Sequence, residues 1–543
     1  MYNCLNNIVK HKIMKFLKNS LLIVVLSLFA SNLNAQNRVT EGNTTTISIS
    51  IPTQSRSINP MIYGQMLEDC NDKVIYGGIV NNEGKENMAV TELLRPLSIP
   101  VMRWPAGTAI YDYEWRKGIG PERKAEKEYI WGGMEYYTFG TDEFIGWCTR
   151  LGIEPYINLP MGNNNTYQHS LGNALDWIEY VNGSAQTTYG ALRAKYGHPE
   201  PYNVKLWCIG NENYLGNRFH KGESAEVYAT NLAHWAKVIK SIYPDLSLLG
   251  VGYKSDWTKV IVDKCHQWLD YVTLHFYYTS RIEDKAMIDP AKTLFAGALV
   301  EANIKENIVV LNRANEKYGR AENPIRIRVD EWNNRHSVKN GEKFYFTRQD
   351  DRRQYDVVTV AAMLNIFLRN SPYVAMGNYI FPVNGHGLVK SVGEDEAYRS
   401  ATYYVFELYR KYLSGNLAAT EIVGPGYANA RLGDYSHLDG DVAARTRELK
   451  EDLCFVDAAA TVNDRGELCI AVVNRSHDKA QKVELNLPEG YKVVEVVSIE
   501  SEDITAANTV DKRETVMPKN LKVKKQNLTL SPCGLQIVRC VRK

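Results

Sequence analysis

Leu206-Trp207-Cys208-Ile209-Gly210-Asn211-Glu212 is an apolar run that ends, through a glycine, in an amide and a carboxylate. A second stretch answers it far along the chain: Ile325-Arg326-Ile327-Arg328-Val329-Asp330-Glu331-Trp332-Asn333. Each reads as a short buried strand whose last residues turn polar. Working outward, the same alternation of strand and helix extends in both directions. Strands are expected at Met61–Glu68, Ile99–Pro105, Glu154–Leu159, Val204–Ile209, Leu246–Val251, Tyr271–Phe276, Ile325–Val329 and Tyr373–Ile380. Helices are expected between them, the clearest at Ser224–Ile242, where Tyr228, Leu232, Trp235 and Ile239 recur at helical spacing and mark one inward face. Strands that alternate with helices in this way predict an α/β fold, a closed (β/α)8 TIM barrel. An open doubly wound sheet would alternate too, but no Gly-rich phosphate loop follows the first strand.

The flanks differ from this centre. From about Ser414 the helices stop, and short strands separated by turn residues predict a C-terminal β-sandwich, jelly-roll-like. Thr45-Thr46-Ile47-Ser48-Ile49-Ser50-Ile51 alternates apolar and polar residues, and this isolated N-terminal strand is expected to join that sandwich. Ahead of it, Lys15 and Lys18 precede the apolar run Leu21–Ala30, and Ala35 stands at a plausible cut. That order is a secretory signal, too short for a comfortable membrane span. The expected division is 1–35 signal peptide, 36–56 strand of the sandwich, 57–413 barrel and 414–543 sandwich.

Composition narrows the function classes. The chain has 64 Lys and Arg against 62 Asp and Glu, and four of the lysines lie in the leader, so the mature chain is close to neutral. Nucleic acid therefore has no electrostatic footprint here. Export permits disulfides, but the cysteines are scattered, without CxxC or a tight Cys/His cluster, so no metal site is expected. Most cysteines read as free buried thiols, and a Cys533–Cys540 pair stays open.

In such a barrel, chemistry gathers at the C-terminal ends of the strands. Those ends carry Glu68, Arg103, Asn158, Asn211-Glu212, His275 with Tyr277, Asp330-Glu331, and Asn378 with Asn384; the fifth offers nothing clear. So many polar groups around one mouth point to a site for a polar substrate. Glu212 and Glu331, expected to face each other across the mouth, are the natural pair. A glycosidic bond is cleaved by one carboxyl that donates a proton and a second that acts as nucleophile or activates water. Asn211 is placed to bond a sugar hydroxyl and Tyr277 to hold Glu331 charged. A structural salt bridge of Glu331 with Arg103 or Arg328 is the competing reading.

Several of these stretches together resemble glycoside hydrolase family 51. They are Ile58-Asn59-Pro60-Met61-Ile62-Tyr63-Gly64 with Glu68, Ile75-Tyr76-Gly77-Gly78-Ile79, Arg103-Trp104-Pro105-Ala106-Gly107, Trp207 to Glu212, Asp330-Glu331-Trp332-Asn333, and the segment from Asn378 to Asn384. The resemblance implies a retaining α-L-arabinofuranosidase with Glu212 as acid/base and Glu331 as nucleophile. Glu68, Arg103, Asn211 and Tyr277 would bind the sugar or brace the nucleophile. It implies a carbohydrate substrate and no cofactor, and it allows a homo-oligomer; the leader segment makes an exported (periplasmic or extracellular) enzyme the expectation. The chain departs from the pattern at Thr108, Phe381 and Asp69, where the family has Asn, Gln and His. Two of these would read sugar hydroxyls. Another furanosidase such as a galactofuranosidase, an endo-β-glycanase, and a catalytically silent glycan binder therefore stay open.

Overall fold

The computed structural model describes residues 37–543 except 70–71, 106, 163–165, 217–220, 278–280, 283–289, 335–336, 341–343, 348 and 433–449. The signal-peptide expectation and Cys70 lie outside the described residues. Eight parallel strands close into a barrel: β1 (Gly64–Met66), β2 (Val101–Trp104), β3 (Glu154–Leu159), β4 (Leu206–Ile209), β5 (Ser247–Val251), β6 (Tyr271–Tyr277), β7 (Arg326–Asn333) and β8 (Val374–Tyr379). They run in sequence order around the ring, β8 pairing with β1. The barrel interior is packed by Val101, Tyr156, Leu206, Cys208, Leu249 and Met376, which come from five different strands. Helices cover the outside. Ala225–Ile242 buries Tyr228, Leu232, Trp235 and Ile239, the face its spacing predicts.

The first strand differs from expectation. Pro60–Tyr63 forms a 3-10 turn, and strand geometry starts only at Gly64. Asn59 decides this locally: its side-chain oxygen accepts the Met61 N–H, and Pro60 fits the first position of the turn. The long helix between β6 and β7 spans Gly297–Lys317.

Among the described residues the main sheet of the second domain has ten strands, one of them Thr44–Ser50. That strand pairs antiparallel with Asn416–Gly424 and parallel with Gln481–Asn486, so the N-terminal segment completes the C-terminal domain. Its alternation works as read: Ile47 and Ile49 face a separate core with Ile422, Ile470, Leu485 and Val538. Helix Gln354–Arg369 lies between the two domains and is buried almost throughout, because the barrel takes one face and the sandwich the other. Gln354 donates to the carbonyls of Ile499 and Cys533, and Arg369 pairs with Asp457. The seven described cysteines are free and buried, Cys533 and Cys540 among them. Among the described residues no helix is long and apolar enough to cross a membrane.

Candidate active site

The strand ends bring Glu68, Arg103, Asn211, Glu212, Tyr277 and Glu331 to one mouth, and buried Arg103 is the hub. Its Nη1 donates to Glu331 Oε1 at 2.5 Å, its Nη2 to Asn211 Oδ1 at 2.7 Å, and its Nε lies 3.3 Å from Asp330 Oδ2. Burial alone would lower its pKa, but Asp330 and Glu331 hold it well above the usual arginine range. Glu331 also accepts a short hydrogen bond from the Tyr277 hydroxyl. The salt bridge and the site reading are therefore compatible: Arg103 pairs with Glu331 inside the mouth.

Two consecutive acids reach this centre because β7 carries an extra residue. Between Thr273/Arg328 and His275/Glu331 the pairing with β6 shifts by one, and a matching shift occurs against β8. A regular strand would send Asp330 and Glu331 to opposite faces. Gly107 makes room for the result, since a Cβ there would stand 2.5 Å from Glu331 Oε1. Asp330 accepts from Tyr156 Oη at 2.8 Å; burial pushes its pKa up, yet Arg103 and His275 bring it below the usual carboxylate range.

Glu212 stands beyond the end of β4 on a tight turn. Gly210 has φ 93° and Glu212 itself φ 45°, a left-handed conformation that a non-glycine residue keeps only where its surroundings enforce it. Tyr111 is one enforcer: its hydroxyl donates to the Asn211 carbonyl at 2.8 Å and accepts the Asn211 N–H at 3.2 Å. Asn213 is another, its amide held by the Met161 carbonyl and Glu223. The Asn211 Nδ2 group is buried without a hydrogen-bond partner. Glu68 Oε1 accepts from the Ala109 N–H at 3.1 Å and from Trp131 Nε1 at 2.9 Å. Trp131 reaches it from a hairpin formed by Glu126–Lys127 and Met134–Glu135.

β4 and β7 are not diametrically opposed; β5 and β6 stand between them, and His275 of β6 spans the gap. Its Nδ1 lies 2.9 Å from Glu212 Oε1 and 3.5 Å from Glu331 Oε2, and its Nε2 lies 3.1 Å from Asp330 Oδ1. Both ring nitrogens face carboxylates, so both donate and the ring is an imidazolium. Burial opposes that charge, but Glu331, Asp330 and the hydrogen bonds raise the pKa to about 10. One oxygen of Glu212, one of Glu331 and a nitrogen of His275 lie within 4.8 Å of one another. That spacing would suit a metal ion; here both ring nitrogens of His275 are engaged with Glu212 and Asp330 instead. Sequence reasoning placed His275 at the mouth without a role; its link to three carboxylates is tertiary, and only its neighbouring strand end hinted at it.

Two other expected members serve the scaffold. Asn378 donates to the Gln65 carbonyl and ties β8 to β1, and Asn384 braces the loop after β8 through Lys73 and Ser391. Asn158, with its amide turned to satisfy both neighbours, takes Arg103 Nη2 at 3.0 Å and gives to the Gly210 carbonyl at 3.1 Å. Phe381 is buried and stacked on His386, with ring centroids 5.8 Å apart.

Two family models match the chain, an α-L-arabinofuranosidase 1 domain over residues 93–293 and an α-L-arabinofuranosidase C-terminal domain over residues 330–533. The chain belongs to the family 51 glycoside hydrolases. Within this family it is 29% identical to a probable α-L-arabinofuranosidase C of Aspergillus niger, over 92% of this chain and 98% of that one. It is 24% identical to an intracellular exo-α-(1→5)-L-arabinofuranosidase of Halalkalibacterium halodurans, over 85% of this chain and 91% of that one. Among solved structures it resembles the arabinose complex of the Thermotoga maritima α-L-arabinofuranosidase. There the TM-score is 0.75 at 27% identity, covering 92% of this chain and all of that one.

Proposed function

We propose that this family 51 glycosidase is an exo-acting α-L-arabinofuranosidase that releases terminal arabinofuranosyl groups from arabinan- or arabinoxylan-type chains by double displacement. The observation that carries the reading is the close approach of the two carboxylates, with an oxygen of each inside the 4.8 Å group around His275. Retaining enzymes hold their carboxyls about 5–5.5 Å apart, whereas inverting ones leave room for a water at roughly 6.5–9.5 Å. In this reading Glu331 attacks the anomeric carbon while Glu212 gives its proton to the departing oxygen. Glu212, now charged, takes a proton from water, and the resulting hydroxyl displaces Glu331 with net retention.

The surroundings fit these roles. Arg103 and Tyr277 stabilise the charged form of Glu331 through direct hydrogen bonds. The unpaired Asn211 amide is a buried donor, costly until a ligand meets it, and it is available to the sugar hydroxyl next to the reacting carbon. Glu68, beside Trp131, takes a second hydroxyl. A related specificity is favoured by one observation: Phe381, buried against His386, brings no hydrogen-bonding group to the mouth. Aryl arabinofuranoside, galactofuranoside, xyloside and glucoside tested side by side separate these, with turnover expected on the arabinofuranoside. An NMR spectrum of the first-formed sugar in the inverted configuration would remove the double displacement. Export rests on the leader segment alone and is checked by N-terminal sequencing of the mature protein, with cleavage expected after Ala35.

A further inference from the structure

We infer that Tyr214 and Tyr253 form the leaving-group side of the cleft, where Tyr214 positions the proton of Glu212 and its ring receives the departing sugar. This rests on the assignment of Glu212 as proton donor. Tyr214 lies two residues beyond Glu212 on the same turn, and its hydroxyl donates to Glu212 Oε1 at 3.3 Å. The same oxygen receives the His275 Nδ1–H at 2.9 Å. An oxygen that accepts from two donors is a poor place for a third hydrogen, so the exchangeable proton of Glu212 is carried by Oε2. In the first step the Oε2–H bond breaks and its proton moves to the glycosidic oxygen. The bond from that oxygen to the anomeric carbon breaks with its electrons staying on oxygen, as Glu331 bonds to the carbon. Water later returns a proton to Oε2. The Tyr214 proton is not transferred; Tyr214 acts through Glu212 and is a positioning residue.

The ring of Tyr214 is held rigidly. It stacks on Tyr253, which follows β5, with centroids 3.9 Å apart and planes 16° from parallel. The edge of Trp257 closes the pair at 5.8 Å, and Trp257 is itself anchored on Tyr228 and by its Nε1–H to the Val251 carbonyl. Lys254 Nζ sits 5.4 Å from the centre of the Tyr253 ring, so Tyr253 has neighbours in Tyr214 and Lys254. Both tyrosines are half-buried, so part of each side chain stays exposed near the proton donor. The reacting sugar belongs with Arg103, Asn211, Glu68 and Glu331. The group on the far side of the breaking bond lies where Glu212 meets Tyr214, and the apolar C–H face of a sugar ring suits a flat aromatic surface. The platform therefore takes the neighbouring sugar residue of an oligo- or polysaccharide.

The test uses two substrates with the same arabinofuranosyl group: an arabinofuranosyl oligosaccharide, which needs a proton on its leaving oxygen, and a 2,4-dinitrophenyl glycoside, which does not. Tyr214→Phe is expected to lower kcat/KM on the oligosaccharide about tenfold, a share of what general acid catalysis supplies, and to leave the dinitrophenyl rate within about twofold. The alkaline limb of its oligosaccharide profile moves to higher pH, because a donor on a carboxylate favours the charged form and its removal does the opposite. Tyr214→Ala, which also removes the ring, raises KM for the oligosaccharide further. Equal losses on both substrates, or an unmoved alkaline limb, overturn the proposal. Glu212→Ala is the reference: if it too loses both substrates alike, the assignment of Glu212 falls first and the role of Tyr214 with it.

Discussion

Glu331 and Glu212 occupy the same mouth but are held by different means. Glu331 lies within a strand, buried, with Arg103, Tyr277 and His275 around its two oxygens. Glu212 lies on a left-handed turn after its strand, partly exposed, with His275 and Tyr214 on one oxygen. The difference matches the two tasks. A nucleophile must stay charged and point at one carbon, which a bulged strand locked by an arginine provides. A proton donor must change its charge twice per turnover and meet a leaving group from solvent, which a braced turn at the rim provides.

The comparison breaks most sharply on the two carboxylates themselves. Glu331→Gln is expected to lose about 10⁴-fold or more in turnover on every substrate, because no other group can form the covalent intermediate. Glu212→Ala is expected to lose ~10²–10⁴-fold on saccharides yet keep activated aryl glycosides, and azide in place of water restores part of its rate. Steady-state rates on the two substrate types decide it. A wild-type protein without turnover would return the chain to the silent glycan binder.

Arg103→Met tests the fixed side in stability. It leaves Asp330 and Glu331 buried without their main counter-charge, and breaking such a cluster costs about 3–5 kcal/mol. The midpoint of urea unfolding is expected to drop accordingly, and an unchanged midpoint would mean that His275 alone neutralises both acids. Tyr214→Phe, on the other side, should leave the midpoint nearly where it was.

The barrel and its catalytic pair could be read from local pattern, since a buried run that breaks into Gly-Asn-Glu or Asp-Glu-Trp-Asn states both the strand and its polar end. Ile47 and Ile49 similarly announced a half-buried strand. What local pattern does not carry is the bulge in β7, because one residue added to a strand shows only against its neighbours. Nor does it carry the Tyr111 grip on Asn211 or the His275 bridge, whose partners lie 100 and 63 residues away. Asn378 and Asn384 misled for a related reason: an amide at a strand end can serve a ligand or a backbone carbonyl, and composition does not distinguish them. The fifth strand looked empty because its contribution, Tyr253, gains meaning only through the ring stacked on it.

His275 joins the two sides and gives the next effect in pH. Its pKa is raised from 6.5 to about 10, so the imidazolium binds its proton more tightly when folded. The stability it contributes is complete below pH 6.5 and is lost as pH rises through about 10. Thermal melts of wild type minus His275→Gln across that window should show the difference closing toward the alkaline end. A difference that stays constant with pH would mean that the ring is neutral and the two sides are not electrostatically linked.

The smallest effect concerns the hairpin that brings Trp131 to Glu68, and it asks whether the sugar-binding wall behaves like the nucleophile side or responds to pH. Glu128 accepts the N–H groups of Ile130, Trp131 and Gly132, and Glu135 accepts from Tyr76 and the Tyr137 N–H. Burial raises both carboxyls from 4.5 to about 7 against those hydrogen bonds, and Asp69 beside them is raised too, by burial and then by Glu135, Glu128 and Glu68. Raised carboxyl pKa values mean that the folded hairpin holds protons which the unfolded chain would release. Its stability is therefore complete below pH 4.5 and declines as pH rises through about 7. Trp131 fluorescence, taken as wild type minus Trp131→Phe, should step near pH 7, with KM rising about two- to threefold as its hydrogen bond to Glu68 loosens. Glu135→Gln keeps an acceptor for Tyr76 and Tyr137 but cannot ionise, so the step should shrink. If instead the fluorescence is flat across this range while Glu331-dependent turnover persists, the wall does not follow these carboxyls and is held as firmly as the nucleophile side.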